Sequence, residues 1–142
     1  ASDLRQAAVL ALRELAAALP ESLPLPSSIL VLEPSAFFRK RLVASLQGLS
    51  WMIYEAQDRQ EAEAQLQARA VDLLVAETAD GAGDLRPWFA LQWKEHRFRQ
   101  VILSTAERSA GDGRRAAWCG GVLFKPYPVE ALLAAIPEAF SS

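Results

Sequence analysis

The stretch ILVLEPSAFFRKRL, residues 29–42, decides the fold. Its first four residues are apolar without interruption. Short runs of this kind belong to strands buried on both faces of a parallel sheet. The residues that follow change period. In AFFRKRLVASLQ (36–47) the apolar side chains fall at 37, 38, 42, 43 and 46, which is helical spacing. Three more apolar runs repeat the first: LLVA at 73–76, VIL at 101–103 and VLF at 122–124. The first run ends on Glu33, and the others on Glu77, Ser104-Thr105 and Lys125. In an open parallel sheet the functional crevice lies outside the carboxyl ends of the strands. Glu33, Glu77, Thr105 and Lys125 are therefore expected to converge on one spot.

The alternation extends to the end of the chain. WMIYEA (51–56) reads as a second strand, and DRQEAEAQLQARA (58–70) as a helix capped by Asp58. VDLLVAE is the third strand, followed by the loop TADGAGD. LRPWFALQWKEH (85–96) is a helix with Pro87 in its first turn. RQVILS is the fourth strand. Residues 106–119 are expected to hold a fourth helix, weakened in its first half by Gly111 and Gly113. GVLF is the fifth strand, and PVEALLAAIPEAF the last helix, with Pro137 expected to shorten it. Five strands alternating with five helices predict an α/β domain with a doubly wound, five-stranded parallel sheet over 29–142.

Ahead of it lies SDLRQAAVLALRELAAALP. This predicts an amphipathic helix over 1–19, with Ser2 or Asp3 as N-cap and a stripe of Leu4, Ala8, Leu12, Leu15 and Leu19. Residues 20–28, rich in proline and serine, read as a stiff linker. So broad an apolar stripe must lie on the body, pair with a copy of itself or continue a larger protein. A homodimer through this helix is the favoured expectation.

Composition narrows the function. Of 142 residues, 51% are hydrophobic and 23% charged, with a net charge of −2, so one ordinary globular core is expected. Nucleic acid is not the expected partner, because phosphate binding needs clustered Lys and Arg. The single Cys119 cannot form an internal disulfide, which fits a reducing compartment. No apolar run approaches the ~20 residues of a membrane span. Arg13 and Glu14 interrupt the AAVLAL run, so it does not read as a signal peptide. No membrane association and a cytoplasmic location are expected.

Residues 29–140 resemble the receiver domain of two-component response regulators. VLEPSAFFRKRL stands where that family has an acidic pair before its first helix, and VDLLVAE where the phosphoacceptor strand ends. LSTA supplies the hydroxyl of Thr105, and LFKPY supplies Lys125-Pro126. The resemblance implies a flavodoxin-like fold and a cis Lys125-Pro126 bond. The departures matter as much. Pro34 occupies the second acidic position, and Glu77 replaces the phosphoacceptor aspartate. Val122 stands where an aromatic ring usually rotates on activation, and Gly81 where a proline is common.

These departures bear on the chemistry. Phosphoryl transfer depends on positioning and on charge neutralisation by a metal. Magnesium requires near-octahedral oxygen ligands, and Pro34 offers no side-chain oxygen. Glu77 carries its carboxylate about a bond length further out, and a shift near 1 Å can cost about a hundredfold in a positioned reaction. Lost or weak magnesium binding, no other cofactor and no phosphorylation of Glu77 are expected. Glu77 then either forms a static ion pair with Lys125 or imitates a phosphorylated state with its single charge. The functional expectation is a non-enzymatic, degenerate receiver acting by phosphorylation-independent binding of a protein partner, whether a signalling protein or other domains of a parent chain. The alternatives are a phosphorylatable receiver with an altered metal site, and a small-ligand sensor in the vacated crevice.

The other candidates have plainer readings. His96, the only histidine, lies in the charged stretch KEHRFR and lacks companion ligands for a metal. Cys119 reads as a small core residue. Asp80 is the one alternative phosphate acceptor. Trp88, Phe89 and Trp93 are expected to pack against the sheet, and an outward tryptophan would mark a contact surface.

Overall fold

Five parallel strands run β1 (Ser28–Leu32), β2 (Met52–Ala56), β3 (Leu73–Ala76), β4 (Gln100–Thr105) and β5 (Cys119–Phe124) along the chain. They pair in the order β2-β1-β3-β4-β5 in this computed structural model, which describes residues 6, 7, 9, 10 and 25–141. The order reverses direction between β1 and β3, which opens a crevice at their carboxyl ends. Four α-helices follow the strands: α1 (Ala36–Leu46), α2 (Arg59–Ala68), α3 (Arg86–Lys94) and α4 (Val129–Ala139).

Alternation along each strand divides the core into two layers. Leu30, Leu32, Leu74, Ala76, Val101 and Leu103 face α2, α3 and the segment before β5. Ile29, Val31, Leu73, Val75 and Ile102 face α1 and α4. Both faces of the three central strands are covered, and their inner runs, 29–32, 73–76 and 101–103, carry no polar residue. Local signals set the helix starts. The Ser35 hydroxyl accepts from the Phe38 amide at 3.2 Å, and the Asp58 carboxylate from the Glu61 amide at 2.9 Å.

Two expectations need correction. The segment between β4 and β5 is a 3-10 helix, Arg108–Arg115, where an α-helix was expected. Gly111 and Gly113 each disfavour an α-helix by about 1 kcal/mol, and a tighter, shorter coil wins. Pro137 does not shorten α4, which continues to Ala139. Few helical residues lie beyond it, so little hydrogen bonding is lost.

At the amino terminus Gln6, Ala7, Val9 and Leu10 are helical, and Val9 packs against the α1–α4 layer. The rest of the helix expected over 1–19, its dimer contacts and linker residues 20–24 lie outside the described residues. No helix among the described residues is long and apolar enough to cross a membrane.

The end of α3 closes with a Schellman pattern. The Arg97 amide donates to the Gln92 carbonyl, and the His96 amide to the Trp93 carbonyl, both at 3.0 Å. The residue between must be left-handed, and His96 has φ 60. Glycine takes that conformation without the ~1 kcal/mol strain of a side chain. His96→Gly should therefore raise unfolding stability by up to about 1 kcal/mol in urea titration, less the added freedom of the unfolded chain. Gly120 sits at the register shift between β4 and β5, where an added Cβ would lie 2.7 Å from Ala139 Cβ. Gly120→Ala should lower stability by about 1–3 kcal/mol in the same assay, because β5 and α4 must separate.

Candidate functional site

The strand ladder holds the polar strand ends in register. The Glu33 amide donates to Ala56 O, the Glu77 amide to Leu32 O and the Lys125 amide to Thr105 O, at 3.0, 3.1 and 2.8 Å. Three side chains meet above these ends. Lys125 Nζ donates to Glu33 Oε1 at 2.6 Å and to Glu77 Oε2 at 2.9 Å. The ammonium also lies 4.4 Å from the centre of the Phe38 ring.

Both carboxylates are satisfied from within the chain. Glu33 Oε2 accepts from the Ser35 amide at 2.9 Å. Glu77 Oε1 accepts from the Thr78 amide at 2.8 Å and the Thr78 hydroxyl at 3.1 Å. The Glu33 side chain is 4% exposed and that of Lys125 19%, so the trio is largely withdrawn from water. Burial pushes the Glu77 carboxyl up, but the Thr105 hydroxyl, the Lys125 ammonium and the Thr78 amide together hold it below its ordinary value. Burial likewise pulls Lys125 down, and Glu33 and Glu77 more than reverse it, so the ammonium is held above its ordinary value.

The remaining expected residues fall around this trio. Thr105 is buried, and its hydroxyl lies 3.2 Å from the Thr78 hydroxyl and accepts from the Glu107 amide at 3.0 Å. Pro34 is exposed and presents no oxygen from its side chain. Val122 packs into the layer formed with Leu103 and Trp118, below the crevice. The Lys125-Pro126 peptide is cis. Asp80 is committed to its loop, accepting from the amides of Arg59 and Ala82. Cys119 is half-buried, His96 is exposed and Trp88 is buried with its indole N–H on Glu63.

Sequence reasoning missed five participants. Phe38 covers Lys125. Arg39 donates to the Glu33 carbonyl at 2.7 Å. Thr78 is buried, and its hydroxyl lies 3.1 Å from Glu77 and 3.0 Å from Glu107 Oε2. One hydroxyl proton cannot serve both carboxylates at once, so Thr78 couples them. Glu107 continues the chain to Arg86 at 3.6 Å. Tyr127 meets the Ser104 hydroxyl at 2.6 Å. Its own hydroxyl is pushed up to about 12, chiefly by burial and then by the charges of Glu33 and Glu77 against the opposing Ser104 bond, so it stays neutral. Thr78 and Glu107 stand beside the strand-end residues in sequence, which was the available signal. Phe38 and Arg39 gave none, because helical spacing alone assigns them to packing or solvent.

Comparison with solved structures places this geometry in a known fold. The chemotaxis response regulator CheY4 of Vibrio cholerae superposes with a TM-score of 0.69 at 21% identity, over 80% of this chain and 98% of that one. The signal receiver domain of an HD domain-containing protein from Pseudomonas fluorescens gives 0.71 at 23%, over 79% and 92%. A response regulator from Thermotoga maritima gives 0.69 at 18%, over 83% and 100%. No family model and no curated protein matches the sequence. The chain has the flavodoxin-like fold of response-regulator receiver domains.

Among the described residues Lys125 is the one cation bonded to both carboxylates, which yields a signed prediction. Lys125→Met leaves Glu33 and Glu77 facing each other in a dry crevice and should cost about 3–5 kcal/mol near neutral pH. In the native chain the Glu77 contribution is complete above its unfolded value of 4.5 and is lost as pH falls through the lower folded one. The Lys125 contribution is complete below 10.5 and is lost as pH rises through the higher folded value. In the variant, acid relieves the repulsion. Urea titrations should therefore show the stability gap between native chain and variant narrowing as pH drops below 4.5. A gap independent of pH would contradict the ion-pair assignment.

Proposed function

We propose that this chain is a degenerate receiver: a non-enzymatic signalling module of a two-component or related pathway that acts by binding a protein partner without phosphorylation. The observation that carries this reading is Lys125 Nζ seated between Glu33 and Glu77 at 2.6 and 2.9 Å, with the second oxygen of each carboxylate already accepting from Ser35 or Thr78. A magnesium ion does not fit this donor set. It needs several oxygen ligands in near-octahedral array at about 2.0–2.1 Å. Here an ammonium bridges the two carboxylates, and Pro34 contributes no side-chain oxygen. Among the described residues no group of three or more His, Cys, Asp or Glu side chains could hold a metal ion.

The rest of the network supports the same reading. Thr105, whose hydroxyl would have to follow a change at residue 77, is already engaged with Thr78 and Glu107. Val122 has no ring to reorient between an inward and an outward position. Without an incoming charge and without that ring, the crevice lacks both the trigger and the lever of a phosphorylation switch. Function then resides on the surface that the fold presents, in contact with another signalling protein or with further domains of a parent chain.

Incubation with acetyl phosphate and magnesium, followed by intact mass and peptide mapping, tests the proposal. The mass should be unchanged. A stable phosphoryl adduct on Glu77 or Asp80 would overturn it. Magnesium titration should also leave the amide NMR shifts around Glu33 and Glu77 in place.

A further inference from the structure

We propose that the outer edge of β2 binds an extended acidic segment of a partner protein, which adds to the sheet as a further strand. β2 stands at one end of the order β2-β1-β3-β4-β5 and pairs only with β1. A parallel ladder uses alternate residues of each strand. The Met52 amide donates to Ser27 O, and Ala56 O accepts from the Glu33 amide, so Met52, Tyr54 and Ala56 turn their main-chain groups to β1. Ile53 and Glu55 turn theirs outward. The Glu55 carbonyl accepts from Gln65 Nε2 at 3.4 Å. The Ile53 amide, the Ile53 carbonyl and the Glu55 amide have no hydrogen-bond partner among the described residues.

Little blunts this edge. Its register with β1 is regular, whereas β5, the opposite edge, is shifted against β4. β2 contains no proline, and its one charged residue, Glu55, is held toward α1 by Arg39 and Lys40 at 3.3 and 3.5 Å. Met52, its first residue, is 59% exposed. Open main-chain groups beside an exposed apolar side chain suit the addition of a strand.

Charge selects the occupant. Cations flank the edge on both faces. On the α2 face the Arg69 guanidinium lies 4.5 Å from the centre of the Tyr54 ring and makes no ion pair among the described residues. On the α1 face Lys40, with its side chain 71% exposed, shares Glu55 with Arg39. Three cations thus stand against one carboxylate along β2. Glu61 ends this stretch, since its carboxylate accepts from the Gln57 amide just past the strand. Side chains of an added strand alternate between the two faces. Carboxylates at neighbouring positions therefore reach Arg69 and Lys40 in turn, and an apolar side chain covers Met52 and Tyr54. A second copy fits less well. Antiparallel pairing of two β2 edges about Ile53 sets each Tyr54 beside the dyad, and with it the Arg69 seated on that ring, so like charges approach. This surface and its partner chemistry rest on the reading that the chain acts through a protein partner, but not on an inert crevice.

A short acetylated and amidated peptide of alternating valine and glutamate is the probe, with its valine–lysine analogue as control. The acidic peptide should move the NMR amide shifts of residues 52–56, slow hydrogen exchange at Ile53 and Glu55, and bind more weakly as salt is added. Tyr54, whose amide faces β1, should exchange slowly with or without peptide, which reports an intact sheet. Lys40→Gln with Arg69→Gln should weaken binding on the order of tenfold. Ile53→Pro removes an outward donor that the β1 ladder does not use, and should abolish binding. Binding is read at the β2 edge and phosphorylation by mass, so failure of one leaves the other standing. The proposal is overturned if the acidic peptide does not bind at millimolar concentration, if the lysine analogue binds equally, if the shifts fall away from β2, or if the glutamine variant binds as the native chain does. It is also overturned if Ile53 and Glu55 exchange slowly without peptide. Protection independent of concentration would assign the edge to a segment of this chain, and protection that rises with concentration would assign it to a second copy.

Discussion

One ammonium joins the carboxyl ends of three strands. Lys125 follows β5, Glu33 follows β1 and Glu77 follows β3, separated by 92 and 48 residues along the chain. None of the three tolerates its position alone. A carboxylate in so dry a crevice is expensive to desolvate, and two facing each other are worse. The ammonium makes the pair tolerable, and the carboxylates make the ammonium tolerable. Such a cluster need not raise stability over a well-packed apolar substitute. It does penalise any arrangement in which one partner is missing, and so it specifies how the strand ends meet.

From this centre the polar chain runs outward through Thr78 to Glu107 and Arg86, linking the crevice to the start of α3 and to the 3-10 helix. Thr78 and Thr105 are buried hydroxyls with hydrogen-bond partners, and no buried side-chain polar atom among the described residues lacks one. The buried polar atoms of the crevice thus find their hydrogen-bond partners within the chain. Phe38 and Tyr127 add an apolar rim whose rings meet edge to face at 6.0 Å.

Much of the fold was legible because burial on both faces removes the choice between strand and helix. ILVL, LLVA and VIL have no polar residue to expose, and each is short and flanked by turn residues. The four regular helices announced themselves by spacing and by Asp58 and Pro87 near their starts. The 3-10 helix did not. Gly111 and Gly113 signalled a weak α-helix, but whether a weak helix tightens or persists depends on the packing of Ala110 and Trp118 against the sheet. At the site, Glu33, Glu77, Thr105 and Lys125 could be named from their places at strand ends. Arg39 and Phe38 could not, since a helix turns its residues toward a crevice or away from it according to how the helix docks.

The sequence by itself determined a doubly wound parallel sheet and the identity of the residues at its carboxyl edge. Strand periodicity is a local property, and the ends of buried strands are the first places where polar groups can stand. Only the tertiary structure decided that Lys125 reaches both carboxylates at once, that Phe38 covers it and that Thr78 couples Glu77 to Glu107. Each of these depends on ångström-scale distances between segments far apart in the chain. Such distances follow from strand order, register and helix docking, which no single segment encodes.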